Sequence, residues 1–497
     1  MQNIQNIEVG LLPNNNILRV YNHFPRRYRG TEDSVIQEMT RDLARIAVMG
    51  FNTVWINPLQ LPGDYIKEYG DRGSLYAMAD ENELNPEFFP PGSTQQQREE
   101  LLIAYVREAK RLGLLPLFDL ALRHVGRDSY ETSIGQNKNT LQKRYQAFLG
   151  QPPQRGWTDA VPFNYPNPEN INQVMRALFF PFIEKYITRY GFMGARIDAV
   201  TSTDEDVLRA AFQHLERRCQ AQYGTRAIIM GELMAKNPTP YIRKLHNVGF
   251  THIFSAGPFY YNFHEYSYLQ HWLAKQINDL KSITTTTNSG AGVVGFGGNH
   301  DTGTLKSICC LEAGKFGWQD FSYLKSIQHD HHPQLQRPIQ EIAARMLDKL
   351  FCSVFICNGG WYLLTGDEYG VLHRPLVFTN YQEQQTVQNH WGGQEDLTQF
   401  ITNINEILAQ LPTTQLGDRT NLGILNLQRQ SVRYAVRYSA NRNENFFIAL
   451  SGLRELSVDD LKNAQIPGID DIPNQNFFIL SDNGNILQQV EQPQFRP

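Results

Sequence analysis

The residues GFMGARIDAV, Gly191 to Val200, have the pattern of a buried β-strand that ends in a carboxylate, Asp198, with Arg196 two positions before it. Side chains on a strand alternate faces, so residues two apart project to the same side and this guanidinium can lie against this carboxylate. A neighbouring arginine favours the charged form of a carboxylate, which suits an oxygen nucleophile. A structural ion pair at a strand end fits the same ten residues. The chain on either side separates the two readings.

Working outward, short apolar runs rich in β-branched and aromatic residues alternate with segments of helical period, the pattern of a parallel sheet with crossover helices. The strands preceding this one are ILRVYNHF (Ile17 to Phe24), NTVWINP (Asn52 to Pro58) and LLPLFDLAL (Leu114 to Leu122). Those following are RAIIMGELM (Arg226 to Met234), FTHIFSAG (Phe250 to Gly257), GVVGFGGNHD (Gly292 to Asp301) and one within FICNGGWYLLTGDEYG (Phe355 to Gly370). Between them, Val35, Ile36, Met39, Leu43, Ile46 and Ala47 mark one helix, and Leu101, Leu102, Tyr105, Val106, Ala109 and Leu112 another. A third helix carries Ile171, Val174, Met175, Leu178, Phe179, Phe182 and Ile183, with Pro181 inside it predicting a kink.

Eight such units predict an α/β fold, a (β/α)8 TIM barrel whose chemistry sits at the C-terminal strand ends. Asp198, Glu232 and Asp301 all fall there. A short polar excursion follows the third strand, and from about Gln430 the stretches SVRYAVRYSA, ENFFIALSG and NFFILSDNGNILQQV alternate without helices between them. The expected division is a barrel over 1–124 and 168–429, an inserted excursion over 125–167 and a C-terminal antiparallel β domain over 430–497.

The 46 Lys and Arg against 50 Asp and Glu give a net charge of −4 and a pI of about 6.4, so no nucleic-acid or membrane partner is expected. No basic, apolar leader opens the chain, and no apolar run approaches the roughly 18 residues of a membrane span. Five cysteines, with Cys309 and Cys310 adjacent, do not form a disulfide framework. The expected location is the cytoplasm, or outside the cell by a route without a recognisable signal peptide. The oligomeric state is not legible.

Seven stretches together resemble the α-amylase clan, glycoside hydrolase family 13. DLALRH (Asp119 to His124) is similar to its third-strand motif, GARIDAV to the fourth-strand nucleophile motif, IMGELMA to the fifth-strand acid motif and GGNHD to the seventh-strand motif. LLTGDEYG resembles the eighth-strand segment, GFNTVWINPL the second, and SLYAMADENELNPEF the tract that supplies a sugar-stacking tyrosine. They occur in the family's order, each on the expected strand. The resemblance implies Asp198 as nucleophile, Glu232 as acid and Asp301 as the carboxylate that binds sugar hydroxyls and helps distort the ring. It further implies that His124 and His300 donate to hydroxyls of the same sugar, that Tyr76 stacks on its face, and that Arg196 and Asp119 support the network.

The residues carry the same chemistry in their own right. Retaining cleavage of a glycosidic bond requires two flanking carboxyls, one charged and one protonated. Glu232, beside Leu233 and Met234 and near the charge of Asp198, is expected to be raised in pKa. Other chemistry-bearing groups read as bland: Glu368 as a loop anchor, the QHDHHP tract (Gln328 to Pro333) as a solvated loop without zinc spacing, and Arg26, Arg27 and Arg29 as a solvated cluster, with recognition of an anionic group as the sharper alternative.

Departures from the family pattern bear on metal and substrate. Many calcium-dependent members carry asparagine immediately before the third-strand histidine; Arg123 stands here and cannot coordinate calcium, so no metal or other cofactor is expected. Where starch-degrading members often show lysine and histidine after the nucleophile, this chain has Thr201 and Ser202. Trp157 and Tyr165 are the aromatics of the excursion that suit a sugar ring or its own packing. The leading expectation is a retaining hydrolase of α-glucans or malto-oligosaccharides. An α-glucan transglycosylase or maltosyltransferase, with a donor that could be phosphorylated, is the alternative, and an inactive carbohydrate-binding homologue the third reading.

Overall fold

The structure of the chain is a computed structural model. It describes residues 17–233 apart from 29, 31–32, 65–72, 129–138 and 155–156, then 241, 245, 247–255, 292–313 apart from 302, 346, 350, 353–354, 359–371, 377 and 396–410, and the backbone of strands within 423–489. Eight parallel strands close into a barrel in chain order: β1 (Leu18–His23), β2 (Thr53–Ile56), β3 (Leu115–Leu120), β4 (Gly194–Ile197), β5 (Ile228–Leu233), β6 (His252–Ser255), β7 (Gly292–Phe296) and β8 (Gly360–Leu364). Each lies inside the stretch expected from the sequence. Largely apolar runs form these strands because a parallel barrel strand is buried on both faces.

Closure is made by β1 on β8, with Leu18 opposite Gly360. Gly360 has φ +112, and a Cβ there would meet the Leu18 carbonyl oxygen at 1.8 Å, so the seam requires glycine. Aromatic rings fill the barrel: Tyr362 stands edge-on to Trp55 at 5.6 Å and to Phe254 at 5.2 Å, and stacks on Phe296 at 5.0 Å. Such pairs prefer edge-on or offset stacking, which holds the layer in one arrangement.

Helices wrap the outside. The first, α1 (Val35–Val48), buries Val35, Ile36, Met39, Leu43 and Ile46 as its period requires. The second, α2 (Gln95–Arg111), begins with a reciprocal cap in which Thr94 N–H donates to Gln97 Oε1 at 2.8 Å and Gln97 N–H to Thr94 Oγ1 at 3.3 Å. The segment around Pro181 is helical from Pro168 to Tyr190, with wide π turns at Met175–Phe179 and Lys185–Tyr190. The helix thus continues past Pro181, the missing N–H being flanked by wider turns on both sides.

The excursion leaves β3 through a short strand, His124–Gly126, that pairs antiparallel with Ala160–Pro162. Past residue 423, five strands pair antiparallel in chain order: Gly423–Leu425, Tyr434–Asn441, Glu444–Leu450, Phe477–Ser481 and Ile486–Gln489. Among the described residues no helix is long and apolar enough to cross a bilayer.

Candidate active site

At the C-terminal ends of β3, β4 and β5 one guanidinium gathers three carboxylates. Arg196, buried in β4, donates through Nη1 to Asp198 Oδ1 at 2.7 Å and to Asp119 Oδ1 at 3.0 Å. Its Nη2 lies 2.9 Å from Glu232 Oε1, an ion pair by distance that lacks the alignment of a hydrogen bond. The ring faces of Trp55, Tyr76 and Phe254 lie 4.9, 5.3 and 5.4 Å from its central carbon. Burial in that aromatic cage disfavours the charge, and the carboxylates outweigh it, holding Arg196 well above the ordinary arginine range.

The three acids differ in surroundings. The Asp198 side chain keeps 12% exposure, whereas that of Glu232 keeps 3%. Burial raises the Glu232 carboxyl well above its ordinary value; Arg196 opposes the rise, and the charges of Asp198 and Asp301 add to it. Burial also pushes Asp119 up to about 7 against the pull of Arg196, yet its oxygens accept from Arg196, from Trp55 Nε1 at 2.9 Å and from Tyr76 Oη at 2.9 Å, a donor set that favours its charged form. Asp119 therefore sits inside the network, not on its open face.

The turn after Asp198 is strained. Ala199 has φ +47 and ψ 45, the left-handed region, and is the one non-glycine residue with positive φ among the described residues. Its N–H donates to Glu232 Oε2 at 3.0 Å, so the residue beside one acid touches the other.

On the far side, Asn299 in the turn after β7 donates from Nδ2 to Tyr362 Oη at 2.8 Å and accepts the Asp301 N–H on Oδ1 at 2.7 Å. Asp301 presents a carboxylate that is 41% exposed, 3.5 Å from His300 Nε2. The His300 ring stacks on Tyr76 at 5.3 Å and 11°. His124 Nε2–H donates to the Tyr76 carbonyl at 3.0 Å. Asp198, Glu232, Arg196, Asp119, Tyr76, His300 and Asp301 thus converge on one end of the barrel, with His124 joined to them through Tyr76. Sequence reasoning missed Trp55, Asn57 (Nδ2 to Tyr76 Oη, 2.8 Å), Asn299 and Tyr362, whose barrel-strand or turn positions were the available signal.

Beside this cluster, Arg123, His124, Gln151 and Trp157 help line a cavity of about 310 Å³ at the excursion. Trp157 is 54% exposed, with its ring 6.0 Å from that of His124. Tyr165 instead stacks on Phe163 at 5.5 Å and packs the excursion. Glu368 is a loop anchor as expected: Oε1 takes the Tyr21 hydroxyl at 2.5 Å and lies 2.9 Å from Arg45, and Oε2 takes the Gly366 N–H at 2.9 Å.

The solvated reading of the arginine cluster is corrected. Arg26 and Arg27 are 1% and 0% exposed. Arg26 bonds both Glu87 oxygens at 3.2 and 3.1 Å, the Gly73 carbonyl at 3.0 Å and the Val377 carbonyl, while burial pushes Arg27 down to about 10 against the attraction of Asp367 and Glu368. Both are internal counter-ions, a pairing that only the folded chain creates. Arg29 and the tract from Gln328 to Pro333 lie outside the described residues.

The closed barrel has counterparts among solved structures. Among solved structures, a maltogenic α-amylase from Thermotoga neapolitana matches at 18% identity, covering 88% of this chain and 86% of its own, with TM-score 0.58. An α-amylase from Geobacillus thermoleovorans, solved with acarbose, matches at 14% identity, 93% and 95% coverage and TM-score 0.55. A trehalulose synthase matches at 14% identity, 88% and 91% coverage and TM-score 0.54. No protein-family model matches the chain, and no curated protein matches it in sequence. The chain has the α-amylase fold.

Proposed function

We propose that this chain is a retaining, α-glucan-active glycoside hydrolase of the α-amylase family. The observation that carries the reading is the single guanidinium that binds both Asp198, which remains reachable, and Glu232, which is buried and raised in pKa. An arginine-paired, reachable carboxyl beside a buried one held above its ordinary pKa is the kind of pair that retaining cleavage uses.

In the first step the Asp198 carboxylate attacks the anomeric carbon while Glu232 gives its proton to the departing glycosidic oxygen, leaving a covalent glycosyl-enzyme. In the second, Glu232, now a carboxylate, takes a proton from water as the water displaces Asp198. Asp301, open to solvent beside His300, is placed to bind sugar hydroxyls, and Tyr76 and Asp119 hold Arg196 and so orient both acids. The fold match to an α-amylase solved with acarbose supports an oligosaccharide substrate.

Transglycosylation shares the first step and differs in the acceptor. Thr201 and Ser202 after the nucleophile, and the fold match to a trehalulose synthase, favour keeping it as the second reading. A time course with maltoheptaose, with and without inorganic phosphate, separates the two. Rising reducing ends mark water as acceptor; redistributed chain lengths at constant reducing ends mark a sugar acceptor; products only with phosphate mark the phosphorylated-donor reaction in reverse. No turnover under any condition rejects the proposal for malto-oligosaccharides.

Two variants extend the test. Glu232→Gln is expected to lower kcat on maltoheptaose by about 10²- to 10⁴-fold, the usual worth of a positioned acid, and to abolish the fall in rate as pH rises through the raised Glu232 pKa. A maltosyl fluoride, whose leaving group needs no proton, should keep glycosyl-enzyme formation fast in this variant. Trp157→Ala is expected to raise KM roughly five- to tenfold with kcat unchanged, from about 1 kcal/mol of lost ring stacking. An unchanged KM would place the sugar away from the excursion.

A further inference from the structure

Arg123 departs from the family pattern and reaches Ser202, a second departure, in the turn behind the catalytic cluster. Its main chain sits at the base of the excursion, where its carbonyl accepts the Phe163 N–H at 2.8 Å. Its Nη1 donates across to the carbonyl of Ser202, in the short 3-10 helix Val200–Ser202 behind the nucleophile. From there a continuous set of bonds runs to the acid. The Ser202 N–H, the Ser202 hydroxyl and the Thr203 hydroxyl each donate to the Ala199 carbonyl at 3.1 Å. The Ala199 N–H donates to Glu232 Oε2 at 3.0 Å. Ala199 itself holds a left-handed conformation that a residue with a Cβ keeps only when its surroundings impose it.

The resemblance implies calcium in many members, so the fit of the metal to these residues matters. They do not fit. The position expected to offer an amide oxygen offers a guanidinium, an obligate donor and a fixed positive charge that repels a second cation.

We propose that Arg123 is a positioning residue, a cation built into the chain in place of a metal, which clips the excursion to the turn after Asp198 and so keeps the Ala199 N–H on Glu232. Its catalytic consequence rests on the reading of Glu232 as the proton donor; its structural consequence does not. Glu232 faces Arg196 and Asp198 from β4 and its following turn, Asp301 from the turn after β7 and Tyr362 from β8. The Ala199 N–H favours the charged form of Glu232, so losing it lets the acid keep its proton to higher pH.

The test compares wild type, Arg123→Gln and Arg123→Lys as full-length proteins. Hydrogen exchange over residues 198–203 is expected to quicken by at least about tenfold in R123Q, to return toward the wild-type rate in R123K, and to be indifferent to EDTA or calcium in the wild type. With maltoheptaose, R123Q should lose about tenfold in kcat, short of the roughly hundredfold that a misplacement of about 1 Å can cost. The basic limb of its pH profile should move upward, with R123K recovering most of both changes. If R123Q does not fold, R123K decides: wild-type protection and an unmoved basic limb are expected, and loss of both overturns the proposal. Wild-type exchange in R123Q overturns it as well. So does a wild type whose protection or activity falls with EDTA and returns with calcium. A wild type that turns over no malto-oligosaccharide sinks the glycosidase reading alone, and the exchange rates still judge the clip.

Discussion

Asp198→Asn is expected to lower kcat on malto-oligosaccharides by about 10⁴-fold or more, the scale of loss when a covalent nucleophile is removed. The amide matches the carboxylate in shape, and its oxygen can still accept from Arg196 Nη1, now at 2.7 Å from Asp198 Oδ1. Folding and sugar affinity should therefore survive while attack on the anomeric carbon does not. The substitution also removes one of the negative charges that raise Glu232, so residual activity should show a basic limb at lower pH than the wild type. Circular dichroism, binding of malto-oligosaccharide by calorimetry and single-turnover rates check the three parts. Equal turnover by variant and wild type would mean that the nucleophile lies elsewhere.

Arg196→Met should cost stability as well as activity, because it leaves Asp119, Asp198 and Glu232 around a site with no counter-ion. Removing one partner from a buried ion pair costs about 3–5 kcal/mol. The loss carries a pH signature. Without the guanidinium the buried carboxyls titrate above their unfolded values, so between the two the folded state binds more protons than the unfolded chain and stability falls as pH rises. The penalty should be smallest near pH 4.5 and grow toward pH 8, as read from melting temperatures of both proteins across that range. A penalty independent of pH would assign Arg196 a packing role among Trp55, Tyr76 and Phe254 alone.

The Arg26 and Arg27 correction shows where reading a sequence stops. Three arginines within four residues look solvated because nothing adjacent in the chain neutralises them. The partners of Arg26 and Arg27 are Glu87, the Gly73 and Val377 carbonyls, Asp367 and Glu368, which lie tens to hundreds of residues away. Trp157 and Tyr165 make the same point from the other side: both are aromatics of the excursion, and only the packing of Phe163 against Tyr165 distinguishes the half-buried ring from the exposed one.

Local rules decided the eight strands. A strand buried on both faces is largely apolar, and a crossover helix must repeat its apolar positions at its own period, so both are written in contiguous residues. The placement of Asp198, Glu232 and Asp301 at strand ends follows from the same patterns, as does the pairing of Arg196 with Asp198, since two residues apart on a strand share a face. Tertiary structure alone decided that Arg196 also holds Asp119 and Glu232, that Trp55, Asn57, Asn299 and Tyr362 support the site, and that Arg123 reaches the Ser202 carbonyl. Those contacts join different strands of a closed barrel or the turns that follow them. Their distances depend on strand register and barrel closure, which no window of contiguous residues contains.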